Sequence, residues 1–142
     1  MEGTALILAG GGGKGAYEIG VWRAMKELGI DKKIRAVSGA SVGGLNGALF
    51  VQGDYDRARR IWLTMNAEKI LDTSRFDFVE DLKAIAERWS DVEAESLLKD
   101  GIFSRDGLVQ IIREELDVNR VAWNGIPCYL ACYNVTSNLM DY

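Results

Sequence analysis

Two short segments hold residue types that could do chemistry together. Gly39-Ala40-Ser41-Val42-Gly43 sets a serine between small neighbours, and Gly10-Gly11-Gly12-Gly13-Lys14-Gly15 lies upstream of it. The first segment fits G-x-S-x-G. That pattern exposes a serine hydroxyl on a sharp strand-to-helix turn, where flanking glycines keep the crowded backbone free of side chains. The second can turn backbone N–H groups toward an oxyanion or a phosphate at the start of a helix. An anion-binding loop followed by an exposed serine suggests a serine acyl hydrolase. Histidine is absent, which removes the Ser-His-Asp triad, the Cys-His pair and most zinc sites. Any nucleophile here must be activated without an imidazole, and neither a metal nor a cofactor is expected.

Each segment has competing readings. Gly10-x-Gly12-x-x-Gly15 also matches a dinucleotide fingerprint. That site wants an acidic residue at the end of the second strand, where this chain has Ala36-Val37-Ser38, with Asp31 too early. A P-loop wants Ser or Thr after its lysine and a glycine where Leu8 stands, yet Lys14 is followed by Gly15. A glycine turn that only packs a helix on a sheet is the third option. Ser41 could equally be a helix N-cap. The flanks of Ser38 do not form the motif. Lys14 is either a phosphate-binding cation or a solvated loop residue.

The elements around these segments are the ones the chemistry needs. Thr4 to Ala9 reads as a buried strand ending in glycines. Ala16 to Leu28 reads as a helix with Ala16, Ile19, Gly20, Ala24 and Leu28 on one face and Gly29 as its stop. Ile34 to Ser38 is a second strand and Val42 to Val51 a second helix, rich in small residues. Strand, loop, helix, strand, tight turn, helix implies a parallel sheet covered by helices. Asp54 to Leu71 is a third predicted helix. An apolar stripe runs from Phe78 through Leu82, Ile85 and Trp89 to Val92. Leu108 to Leu116 is a further helix with Ser104 as N-cap, and Ile126 to Val135 reads as one buried strand.

The chain has 142 residues, 48% hydrophobic and 27% charged, enough for one domain with a core. The net charge is −4, and Arg57, Arg59 and Arg60 sit beside Asp54 and Asp56, a solvated face rather than a nucleic-acid footprint. No basic leader and no apolar run of ~20 residues is present. Cys128 and Cys132, four steps along one predicted strand, would lie ~13 Å apart, too far for a disulfide. They are expected as free, buried thiols in a reducing compartment, the cytoplasm. Trp22, Trp62, Trp89 and Trp123 are expected in core and rim packing.

Leu8 to Tyr17, followed by Ser38 to Asn46, resembles the patatin-like phospholipase family. The family loop reads G-G-G-x-[KR]-G, and its nucleophile motif is G-x-S-x-G with an asparagine shortly after; both match here. Ile102 to Asp106 and Pro127 to Asn134 are similar to later family segments. The resemblance implies an α/β fold, three-layer α/β/α with a mainly parallel central sheet, and lipid acyl-ester hydrolysis by a Ser-Asp dyad. By position it makes Ser41 the nucleophile and the amides of Gly10, Gly11, Gly12 and Gly13 the oxyanion hole, with Lys14, Gly15, Gly39 and Gly43 supporting the two motifs. It also implies a lipid or acyl-ester substrate and peripheral membrane contact.

The family aspartate lies in a later D-G-[GA] motif that this sequence does not contain. Asp100-Gly101 and Asp106-Gly107 are its only Asp-Gly pairs, and turn and helix-entry chemistry accounts for both. The expectation is that residues 1–142 form the N-terminal portion of such a domain, weakly active or inactive alone. A further C-terminal segment or a second chain would supply the aspartate. The alternative is a noncatalytic lipid-binding or regulatory module that keeps the fold.

Overall fold

The structure, a computed structural model, describes residues 3–65 and 106–142. They fall into two units, 3–64 with 115–142, and 65 with 106–114. In chain order the elements are β1 (Thr4–Leu8), α1 (Gly15–Glu27), β2 (Ile34–Gly39), α2 (Val42–Gln52), α3 (Tyr55–Thr64), α4 (Asp106–Glu115), α5 (Val118–Trp123), β3 (Cys128–Leu130), β4 (Cys132–Asn134) and β5 (Leu139–Asp141). Short 3-10 turns at Gly12–Lys14 and Asp31–Lys33 precede α1 and β2. The Phe78 to Val92 stripe, Ser104 and Asp100-Gly101 lie outside the described residues.

The sheet is parallel, in the order β1-β2-β3. Leu6 pairs with Val37 and Leu8 with Gly39, so β1 and β2 end side by side. This is the α/β class with a mainly parallel sheet that the sequence pattern requires. α2 lies over the face carrying Leu8, Val37 and Leu130, where Gly47 and Gly44 admit the Val37 and Leu130 side chains. Its residues Gly43 to Gln52 are all buried, as suits a helix apolar on every side. Ile34, Val37, Leu49 and Val51 form the centre of the core. Trp22 joins it through Phe50 and Tyr55, at ring separations of 5.0 and 5.3 Å. On the opposite face of the sheet, Ile7 is 79% exposed, and no residue of β1 is buried, so this outer strand is not the buried strand expected.

Several expectations need correction. α1 buries Gly15, Ile19 and Trp22, whereas Ala16, Gly20, Ala24 and Leu28 face solvent. The large aromatic ring of Trp22, filling the gap to Phe50, sets the rotation of the helix in place of the small-residue row. α3 spans Tyr55–Thr64, and residues 66–71 of the predicted helix lie outside the described residues. α4 begins at Asp106, two residues before the predicted start. α5 and β5 were not predicted; α5 is opened by the Asp117 carboxylate, which accepts from the N–H groups of Asn119 and Arg120 (3.0 and 3.2 Å).

The run Ile126 to Val135 is not one buried strand. β3 continues the parallel sheet from β2, then the chain leaves it, and β4 pairs antiparallel with β5 in a separate ribbon. An outer strand and a two-stranded ribbon have few neighbours to cover them, so Tyr129, Leu130, Tyr133 and Val135 are exposed. The two cysteines are free, as expected, but Cys128 is only half-buried and Cys132 is exposed. Partial burial pushes the Cys128 thiol pKa up. Trp123 is 88% exposed and so belongs to neither core nor rim.

Candidate functional site

Both motifs leave the sheet at the carboxyl ends of neighbouring parallel strands. That edge is where ligands bind in open α/β sheets. The glycine loop follows β1, and Ser41 follows β2. The turn between β2 and α2 is anchored to β1 by the Ala40 N–H, which donates to the Leu8 carbonyl (3.3 Å). The loop and the serine are therefore held together by backbone. A Cβ placed on Gly10 would lie 3.2 Å from Ser41 Cβ and 3.9 Å from its Oγ.

Ser41 has φ 55° and ψ −129°, a conformation that side-chain-bearing residues avoid and that concentrates at functional sites. Its position is the N-cap of α2, but its hydroxyl makes no capping bond. The capping explanation for this serine is thereby overturned. The carbonyl of Ser41 does enter the helix, accepting from Gly44 and Leu45 N–H (2.9 and 3.3 Å). The hydroxyl is left exposed, and among the described residues no side chain is hydrogen-bonded to it.

The motif glycines are required by contact. A methyl on Gly39 would sit 2.3 Å from the Gly43 carbonyl oxygen, and one on Gly43 would sit 2.5 Å from the Leu8 carbonyl oxygen. In each case the obstacle is backbone, which cannot swing aside as a side chain can. Upstream, the Lys14 N–H donates to the Gly11 carbonyl (3.2 Å) and closes the 3-10 turn. The amides of Gly12 and Gly13 precede that closing bond, so they have no acceptor within the turn. Gly11 and Gly12 take φ values of 142° and 55°. The Lys14 side chain is exposed and lies along Gly11.

A buried polar cluster lies just behind this corner. Asn46 of α2 donates through Nδ2 to the Gly15 carbonyl (3.0 Å) and to Glu18 Oε2 (2.8 Å), and accepts at Oδ1 from the Trp62 indole N–H (2.7 Å). The sequence marks Asn46 only as part of a motif and Trp62 only as a core or rim aromatic, and nothing in it singles out Glu18. The available signal was one asparagine among the small and apolar residues from Val42 to Val51. Among the described residues there is no cluster of three metal-ligating side chains, and no helix is long and apolar enough to cross a membrane. Asp106 of the Asp106-Gly107 pair opens α4.

Residues 6–128 match the family model described as patatin-like phospholipase. Over 48 residues, 34% of this chain and 3% of the relative, the chain is 44% identical to patatin-like phospholipase domain-containing protein 7 of Rattus norvegicus. Over 62 residues, 40% of this chain and 4% of the relative, it is 43% identical to lysophospholipase nte1 of Aspergillus terreus. The chain thus spans only a few per cent of the length of these curated relatives. No solved structure matches it. The family match extends from within β1 to the start of β3 and so takes in both the glycine loop and the Ser41 turn: the chain belongs to the patatin-like phospholipase family.

Proposed function

We infer that this chain carries the nucleophile and the oxyanion-binding loop of a serine lipid acyl hydrolase, of phospholipase or esterase type. The observation that carries the reading is Ser41 itself, uncapped, at positive φ, against Gly10 of the loop. In this reaction Ser41 Oγ attacks the acyl carbonyl carbon and gives up its proton to a carboxylate base. The carbonyl oxygen becomes an oxyanion, which the amides of Gly10, Gly11, Gly12 and Gly13 receive. Collapse breaks the bond to the alcohol, which leaves with the proton, and water then hydrolyses the acyl-serine. Lys14 closes the turn of the loop, Gly15 starts α1 beneath it, and Gly39 and Gly43 let the serine turn pack on β1.

The base is an aspartate supplied from a further segment or a second chain, because the sequence contains no D-G-[GA] motif. A free serine hydroxyl is a weak nucleophile, so residues 1–142 alone turn over slowly or not at all. The oxyanion loop still provides some acceleration. The substrate class is a lipid acyl ester, met at a membrane surface from the cytoplasmic side. Exposed Tyr17 on the first turn of α1 supports that contact.

A fluorophosphonate probe tests the reading. It is expected to label Ser41, identified by peptide mass, and Ser41→Ala is expected to abolish labelling. A folded chain left unlabelled when a D-G-[GA] segment is supplied would overturn the proposal. The hydroxyl without a hydrogen-bonded base also supports a second reading, a noncatalytic lipid-binding module. Saturable lipid binding unaffected by Ser41→Ala, with no ester turnover when a D-G-[GA] segment is supplied, would favour that reading instead.

A further inference from the structure

We propose that Asn46 is a positioning residue that sets the separation of Ser41 from the glycine loop, an assignment that rests on the reading of Ser41 as nucleophile. Asn46 is 1% exposed and lies about 7.5 Å along α2 from Ser41 at the usual helical rise. Its amide has only one consistent orientation. An indole N–H can only donate, and a carbonyl and an ionised carboxylate can only accept. Trp62 therefore fixes Oδ1, while Gly15 and Glu18 take both protons of Nδ2.

These partners sit where they can control the site. Gly15 is the last residue of the glycine loop and the first of α1, Glu18 lies in the first turn of α1, and Trp62 lies on α3. One side chain thus joins three helices, and two of them start at the two halves of the site. Gly15 has no side chain with which to hold its own place. The position of a Cβ is taken by the Trp62 ring, 2.3 Å away. A leucine at position 46 would fill a similar volume and avoid the desolvation of a buried amide. What the amide adds is direction: short, satisfied hydrogen bonds in a water-poor interior specify one arrangement where apolar packing allows several. Displacement of the loop by a fraction of an ångström would move the oxyanion donors off the tetrahedral intermediate and leave the binding of a ground-state ligand nearly unchanged.

Saturation kinetics of fluorophosphonate labelling on the chain supplied with a D-G-[GA] segment separate these effects, because kinact reports the attack and KI the binding. Asn46→Leu is expected to lower kinact by ~10-fold or more, and Glu18→Ala by ~3-fold, as small misplacements of catalytic groups do. KI should stay within twofold of the starting chain, roughly the noise expected of a uniform-binding change. Glu18→Gln keeps an acceptor at the same reach and should recover most of the rate lost in Glu18→Ala, a rescue that a general loss of folding would not show. Far-ultraviolet circular dichroism and urea midpoints give the folded fraction used for each rate. If Asn46→Leu does not fold, the Glu18 pair decides. Unchanged kinact in the folded variants, or a change confined to KI, would overturn the assignment. An unlabelled starting chain would instead remove the nucleophile reading and this inference with it.

Discussion

The Ser41 corner and the β4–β5 ribbon are built by opposite means. At the corner, backbone meets backbone: Gly39 against Gly43, Gly43 against Leu8, and Gly10 against Ser41. In the ribbon, two three-residue strands pair through Cys132 to Asn134 and Leu139 to Asp141 while their side chains face solvent. The first arrangement leaves no room for a methyl group. The second leaves room for almost any side chain. Apolar content does not separate the two regions, since Tyr133, Val135, Leu139 and Met140 are as apolar as the core of α2 and yet exposed. What separates them is how closely the main chain must approach its neighbours.

Substitutions can break or sharpen that contrast. The largest effect is expected for Gly43→Ala, whose methyl would meet the Leu8 carbonyl at 2.5 Å. Overpacking against rigid backbone should destabilise the fold by ~3 kcal/mol, read from the urea midpoint, with loss of Ser41 labelling in whatever remains folded. Ser41→Gly should act in the other direction. Relief of the positive φ is expected to raise stability by ~1 kcal/mol while removing the proposed nucleophile. A corner that gains stability on losing its hydroxyl would mark backbone strain kept for function. A loss of stability instead would mean that the side chain supports the turn. The smallest effect is expected in the ribbon. Val135→Ala and Leu139→Ala, at sites 83% and 62% exposed, should move the midpoint by no more than ~0.5 kcal/mol and leave labelling unchanged.

Much of the site was legible in the sequence because its constraints are local. G-x-S-x-G names the residues that must lack side chains around one turn, and the glycine run names a loop that must bend sharply. Both lie next to short apolar strands, so the order of elements up to Gln52 could be read with boundaries displaced by only a residue or so. The rest depended on partners distant in sequence. The face that α1 buries follows from where Trp22 meets Phe50 and Tyr55. The apolar run after Pro127 reads as a buried strand, but burial depends on what covers it. Its second half turns away to pair with β5, beyond the reach of any local pattern. The Asn46 cluster was invisible for the same reason, since its hydrogen bonds span 16 to 31 positions.

Residue order alone determined that this chain could hold a serine beside an anion-binding loop without histidine, because turn geometry and glycine content act over a few neighbouring residues. Only the tertiary structure decided that the hydroxyl is uncapped, that the two motifs meet at one sheet edge, and that a buried amide ties together the helices behind them. Those outcomes depend on strand register and on contacts between distant segments, where the energies of many weak interactions are summed over the folded chain and no single stretch of sequence contains the answer.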